Sequence, residues 1–200
     1  MMAPGDTTES FERGLLEGLR FEPYGIDHLV DAFRLTRQCS GLIAEQMGLP
    51  AATVENIRRA APIHDVGRIG IPDSILLKQG ALTEEEQQIM RTHAAIGAKM
   101  LAGGQSALVQ TAERIARSHH ERWDGKGYPD RLAGERIPIE ARIVAVADFF
   151  DALTHKRPYR PAWSLQKTLA TIGDESGGHF DPAVVNALLA LRRAGVGLLD

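Results

Sequence analysis

The sequence predicts an all-α fold, and three observations carry that expectation. Apolar residues recur at helical spacing through nearly all of the 200 residues. No segment alternates apolar and polar residues as a half-buried strand does. Helix start signals stand at the ends of the periodic runs: Pro50, Thr83 with Glu86, Pro138, and Asp181 before Pro182.

Taken in order, Phe11, Leu15 and Leu19 suggest a short amphipathic helix over residues 8–20, closed by the Pro23-Tyr24-Gly25 turn. Residues 1–25 are therefore expected as an extension, residues 26–193 as the domain and residues 194–200 as a tail. A long helix is expected from about Ile26 to Met47, with Leu29, Val30, Phe33, Leu42 and Ile43 on one face. Pro50 opens the next helix at a position where its missing N–H costs nothing. That helix carries Val54, Ile57 and Ala61, and Pro62 disturbs its end just before His64-Asp65. Gly67 to Leu82 reads as a loop with at most one short turn. The capping box of Thr83 and Glu86 starts a helix expected to turn Ile89, Met90, His93, Ile96, Gly97 and Met100 inward together. From Ser106 another helix aligns Leu108, Ala112, Ile115, Ala116 and His119. Glu121 to Ile137 is too rich in glycine and charge for a helix, and a loop of that length in a compact domain is usually functional. Pro138 opens a helix with Ile139, Ile143, Val146, Ala147 and Phe150 inward, Asp148 and Asp151 sharing a neighbouring face. Helices at about 164–174 and 182–194 complete the domain.

With 44% hydrophobic residues, the chain has the composition of one globular domain with a sizeable core. A net charge of −3 argues against a surface for duplex nucleic acid, which needs an excess of Lys and Arg. Cys39 is the single cysteine, which excludes an internal disulfide and a cysteine zinc site; it reads as a small apolar helix residue. The first ten residues lack a signal peptide's basic start and apolar stretch, and no run approaches the roughly 20 apolar residues of a membrane span. A cytoplasmic, membrane-free protein is expected.

The chemistry lies in His64-Asp65, His93, His119-His120 and Asp148. A His-Asp dipeptide alone says little, and a lone histidine on an apolar helix face is most often a satisfied core residue. Several inward or helix-end ligands together, however, are costly to bury without a shared cation. Imidazole and carboxylate without thiolate suit Fe, Mn, Ni or Zn. Asp65 is expected to bridge two divalent ions, with His64 and Asp148 on one and His93, His119 and His120 on the other. Ions about 3.5–4 Å apart hold a hydroxide and clamp a phosphoryl oxygen, so the reaction class is phosphoester hydrolysis. Arg68, Arg157 and Arg160 are the candidate cations for an anionic substrate, since the guanidinium fork pairs with phosphate.

The segments AAPIHDVGRIGIPDSILLKQGALT, HHERWDGKGYP, IPIEARIVAVADFFDALT and RPYR closely resemble the HD-GYP domain, a subgroup of the HD phosphohydrolase superfamily, over about residues 26–193. The resemblance implies an HD-domain helical bundle with a long GYP loop and additional C-terminal helices. It also implies two or three metal ions, commonly Fe or Mn, and hydrolysis of cyclic di-GMP to pGpG and often onward to GMP. It puts core ligands on His64, Asp65, His93, His119, His120 and Asp148. Arg68 replaces the lysine that normally follows the HD pair and touches substrate phosphate, so Asp65 and Arg68 are the expected catalytic residues. Gly127, Tyr128 and Pro129 match the defining signature, Gly127 being expected to permit unusual backbone angles and Pro129 to stiffen the turn. Gly127, Tyr128, Arg157 and Arg160 are the implied substrate contacts, and Asp151 is expected to orient a ligand. A diguanylate cyclase or sensory protein is the implied partner.

One position departs from the family pattern. A histidine ligand usually stands 32 residues before the HD histidine, and Ala32 occupies that place. His28, where members with three metals carry a glutamate, shares the same helical face but starts about 6 Å further along the axis. It is the candidate replacement ligand. Three readings stay open: a cyclic di-GMP phosphodiesterase, a catalytically weak nucleotide-binding or protein-interaction module, and an HD-type hydrolase of another nucleotide such as pGpG.

Overall fold

A computed structural model describes residues 26–155 and 161–198, with side chains in the first helix from residue 34 onward. The expected helix over residues 8–20, the side chains of His28 and Ala32, and Arg157 and Arg160 lie outside the described residues. Among the described residues the helices are α1 (Ile26–Gln46), α2 (Ala51–Ala60), α3 (Asp73–Leu76), α4 (Glu84–Arg91), α5 (His93–Leu101), α6 (Ala107–Ser118), α7 (Ile139–Thr154), α8 (Leu165–Asp174) and α9 (Pro182–Arg193). Short 3₁₀ turns span Ala61–Ile63, Val66–Gly70 and Gly134–Arg136. No strand occurs among them, only an isolated bridge between Ser176 and Phe180. The fold is all-α.

Local chemistry sets most of the boundaries. The Thr83 hydroxyl accepts the Glu86 N–H at 3.2 Å while the Glu86 carboxylate accepts the Thr83 N–H at 2.8 Å, a complete capping box. Ser106 and Asp181 cap α6 and α9 by accepting the N–H groups of Val109 and Ala183. At the end of α2, Pro62 sits in a 3₁₀ turn that passes directly into His64, whose N–H donates to the Ala61 carbonyl at 3.2 Å. The HD pair therefore leaves the helix on a tightened turn. Between Gly67 and Leu82 the chain is more ordered than expected, holding both the Val66–Gly70 turn and the single turn of α3.

The main core joins α1, α7, α8 and α9 through Cys39, Ile43, Val146, Phe150, Ile172, Val184 and Leu188. Burial, with a smaller push from the Asp151 charge, raises the Cys39 thiol to about 12, consistent with an inert core residue. A smaller cluster of Ala60, Ala61, Ala112, Ile115 and Val144 lies beneath α2 and α6.

Two expectations are corrected here. The helix starting at Thr83 is interrupted at Thr92, where both the Thr92 hydroxyl (2.6 Å) and its N–H (3.0 Å) donate to the Ile89 carbonyl. The break sends His93, Ala94, Gly97 and Ala98 inward and leaves Ile89 41% and Met100 50% exposed, so the six residues do not share one inward face. The segment expected as a tail folds back: the Val196 N–H donates to the Leu191 carbonyl at 3.1 Å and Leu198 is buried in the main core.

Candidate metal centre

Three imidazoles are aimed by backbone carbonyls one turn earlier in the chain. Nδ1 lies 2.8 Å from the Ala61 carbonyl in His64, 2.7 Å from that of Met90 in His93, and 3.0 Å from that of Ile115 in His119. A carbonyl only accepts, so each Nδ1 carries the proton and each Nε2 is the atom turned toward the cluster. This is the tautomer and orientation of a metal-ligating histidine.

Asp65 stands at the centre. Its Oδ1 lies 3.2 Å from His93 Nε2 and 3.6 Å from His119 Nε2, while its Oδ2 lies 3.4 Å from His64 Nε2 and 2.7 Å from Arg68 Nη2. His64 Nε2 is also 3.5 Å from Asp148 Oδ1, which α7 projects from the far side. One ligand atom from each of Asp65, His93, His119 and His120 falls within 4.8 Å of the others. Two features call for a cation. Asp65 Oδ1 is buried with no well-formed hydrogen bond among the described residues, and the Nε2 atoms of His93 and His119 face each other at 3.5 Å. The donor set thus fits divalent metal.

The electrostatics agree. Burial lowers the His119 pKa, and burial with the neighbouring His119 charge lowers that of His120 to about 2, so both rings are neutral. Burial works against ionisation of Asp65 and Asp148. Arg68 and His64 outweigh it at Asp65, and the His64 hydrogen bond outweighs it at Asp148, which is held at about 2. At His64 burial opposes the imidazolium, but Asp65 and Asp148 raise its pKa well above the ordinary value. His64, Asp65 and Asp148 would hold a divalent ion in place of that proton.

Close backbone approach assembles the cluster. A Cβ on Gly67 would lie 2.0 Å from the His93 carbonyl oxygen and 2.4 Å from the Gly97 nitrogen, so only glycine lets the turn after Asp65 rest on α5. The loop after His120 uses the same device. Gly127 is outside the left-handed region, contrary to the expectation of unusual angles. It is required because a Cβ there would meet the Arg122 nitrogen at 2.4 Å and the His120 oxygen at 2.6 Å. The Tyr128 N–H then donates to the His120 carbonyl at 3.2 Å, and the Tyr128 ring stacks on His120 with centroids 4.8 Å apart. Glu121, only 3% exposed, closes the loop by accepting the N–H groups of Asp130 (2.7 Å) and Leu132 (3.1 Å). Arg117 grips Asp130 through two bonds of 2.7 and 2.8 Å. The far side of the loop is tied to the α8–α9 connection by Trp123 and Asp124 N–H bonds to the carbonyls of His179 and Gly178.

A model of the HD domain family matches residues 26–184. The chain belongs to the HD domain family. This HD domain is 54% identical over 150 residues to the cyclic di-GMP phosphodiesterase response regulator RpfG of Xanthomonas campestris, covering 75% of the chain and 40% of the relative. It is 49% identical over 154 residues to a cyclic di-GMP phosphodiesterase of Thermotoga maritima, covering 77% and 42%. The chain thus spans about two fifths of the length of these curated relatives. Among solved structures, the cyclic GMP-AMP-specific phosphodiesterase V-cGAP3 of V. cholerae superposes with a TM-score of 0.65 at 19% identity, covering 93% of this chain and 48% of that one. That likeness shows the shared fold.

Within this HD domain, the side chains of His64, Asp65, His93, His119, His120 and Asp148 lie together. Arg68 does not stand free for a substrate but is paired with Asp65. Asp151, one turn beyond Asp148, meets His155 at 2.8 Å rather than lying against His64 beside Asp148. The remaining histidine outside the pattern, His179, stacks on Phe180 at 4.2 Å. Sequence reading missed the roles of Glu121 and Arg91, and it turned Gly97 inward without its contact to Gly67. Glu121 immediately follows the histidine pair, and Arg91 stands two residues before His93 with its guanidinium carbon 5.3 Å from the Tyr128 centroid. Nearness in sequence to ligands was the available signal; burial and partners were not.

Proposed function

We propose that this HD domain is a metal-dependent phosphodiesterase that hydrolyses cyclic di-GMP to pGpG, GMP or both. The observation that supports it most is the division of ligands around Asp65, one oxygen facing His93 and His119 and the other the side where His64 meets Asp148. That division suits two ions bridged by a single carboxylate. His64, Asp65 and Asp148 would hold one ion, and Asp65, His93, His119 and His120 the other. Two divalent ions supply Lewis acidity and charge stabilisation for an in-line displacement at phosphorus. Fe or Mn is our assignment, and Ni and Zn also suit these donors.

The chain's own groups position the reaction. The carbonyls of Ala61, Met90 and Ile115 hold the imidazoles in place. Arg68 orients Asp65 through their 2.7 Å pair, and its contact with substrate phosphate is assigned on family resemblance. Gly127 and Tyr128 wall the site beside His120, and Arg157 and Arg160 are assigned to substrate phosphate on family resemblance. A cyclic dinucleotide messenger implies work in the cytoplasm, beside a sensory or diguanylate cyclase partner. Among the described residues no helix is long and apolar enough to cross a membrane.

Incubating Mn- or Fe-loaded protein with cyclic di-GMP under reducing conditions tests the reading by chromatography. Production of pGpG or GMP is expected, and fully metallated protein yielding neither overturns it. The alternative, a nucleotide-binding module with little turnover, is favoured by Ala32 at a usual ligand position. Calorimetric binding without turnover, with less than one metal per chain, would establish that alternative. Metal stoichiometry of His28→Ala beside wild type decides whether His28 completes the set, by the loss of one equivalent.

A further inference from the structure

Arg91 ends α4, and the break at Thr92 separates its direction from that of His93. His93 enters the cluster, whereas Arg91 stays exposed with its guanidinium carbon 5.3 Å from the Tyr128 centroid. That distance is within cation–π range. The same ring stacks on His120, planes 26° apart, and approaches His93 edge-on at 6.4 Å. One aromatic side chain therefore connects the ligand cluster to this arginine.

The two arginines beside Tyr128 differ in charge balance. Arg68 is neutralised by Asp65 at 2.7 Å. Arg91 makes no side-chain hydrogen bond or ion pair with any described residue, and Tyr128 is its ring partner. Its helical neighbours three and four residues back, Gln88 and Gln87, carry no charge to answer it. An uncompensated guanidinium, fixed by an aromatic face at the rim of a phosphodiester site, is preorganised for an anion.

A cyclic dinucleotide carries two phosphodiesters, and one of them at a time can lie at Asp65. The other must leave the cluster past its wall, which Tyr128 forms. Resting on the phosphodiesterase reading, we propose that Arg91 is a substrate-binding residue whose guanidinium takes the phosphodiester that is not being cleaved. Recognition is by charge, with the Tyr128 ring limiting the freedom the arginine loses on binding.

Mn-loaded wild type, Arg91→Gln and Arg91→Lys are compared on cyclic di-GMP at low and high salt. Affinity is read as KM where wild type turns over and as calorimetric Kd where it does not. Arg91→Gln is expected to weaken affinity about tenfold, the scale of one hydrogen bond to a charged group. Arg91→Lys is expected to lose no more than about threefold, because the charge is kept. The salt dependence of Arg91→Gln should be shallower than that of wild type. Equal affinity of wild type and Arg91→Gln overturns the assignment. So does an equal loss in both variants with unchanged salt dependence, which would make Arg91 a stacking residue only. Equal metal content and circular dichroism in the three proteins exclude misfolding as the cause. Wild-type binding without pGpG or GMP sinks the phosphodiesterase reading while the affinities still decide Arg91; wild type that neither binds nor cleaves overturns both.

Discussion

Between α1, α7, α8 and α9 the interior is filled by Ile43, Val146, Phe150, Ile172 and Leu188, whereas beside the candidate ligands Gly67 sits directly against the backbone of His93 and Gly97. In the first region large side chains interdigitate, and a changed volume is shared among many neighbours. Where Gly67 meets α5, backbone rests on backbone, and no side chain stands between them to yield. The same fold is thus tolerant on one side and intolerant on the other, and the intolerant side carries the candidate metal centre.

The largest effect that would sharpen this contrast is expected from Asp65→Ala. It removes the carboxylate that faces both ligand groups, and kcat/KM on cyclic di-GMP should fall at least about 10³-fold, equivalent to about 4 kcal/mol of barrier. Retention of two metals and of turnover would break the comparison at its centre. Next comes Gly67→Ala, where one methyl group would have to share space with the His93 carbonyl. Metal affinity measured by competition with a chelator should drop about 10–100-fold, the scale for groups that orient ligands. A neutral result would mean that the turn and α5 are not in close contact.

On the tolerant side, Phe150→Ala should cost about 3–5 kcal/mol in urea unfolding, with metal stoichiometry retained in the folded protein. Loss of metal at an unchanged Tm would invert the contrast. Smaller still is Glu121→Gln, whose amide can accept only one of the two loop N–H bonds. About 1–3 kcal/mol of stability should be lost, together with faster amide exchange at Asp130 and Leu132; unchanged exchange there would show that Glu121 does not close the loop. The smallest effect concerns pH. The Arg122 guanidinium holds the Asp124 carboxyl at about 2, below its unfolded value of about 3.9. This contribution is complete above that unfolded value and is lost as pH falls toward 2. The acid-unfolding midpoint of Asp124→Asn should therefore move slightly upward, and an unmoved midpoint would remove the pair from the stability of the loop.

Much of the fold was legible because helices repeat locally. The α6 face of Ala112, Ile115, Ala116 and His119 is buried as its spacing says, and the caps at Thr83, Ser106 and Asp181 form from residues within a single turn. The candidate ligands were legible because few side-chain types bind metal and these occur together in the sequence. The break at Thr92 was not, since it depends on a threonine bonding back to its own backbone instead of to solvent. Nor was the reason for Gly127, which the signature suggests is a matter of backbone angle and which the structure shows to be contact with residues 120–122.

Residue order was enough to place the long helices, most of their buried faces, and the imidazoles and carboxylates available to a metal. Only the tertiary structure decided which oxygen of Asp65 faces which histidines, that Arg68 is engaged by Asp65, and that Arg91 reaches the site through Tyr128. The reason is physical. Periodicity and capping act within a few residues, but the ligand geometry depends on how nearly one backbone approaches another, and that distance is set where Gly67 meets Gly97 and where Gly127 meets the chain around His120.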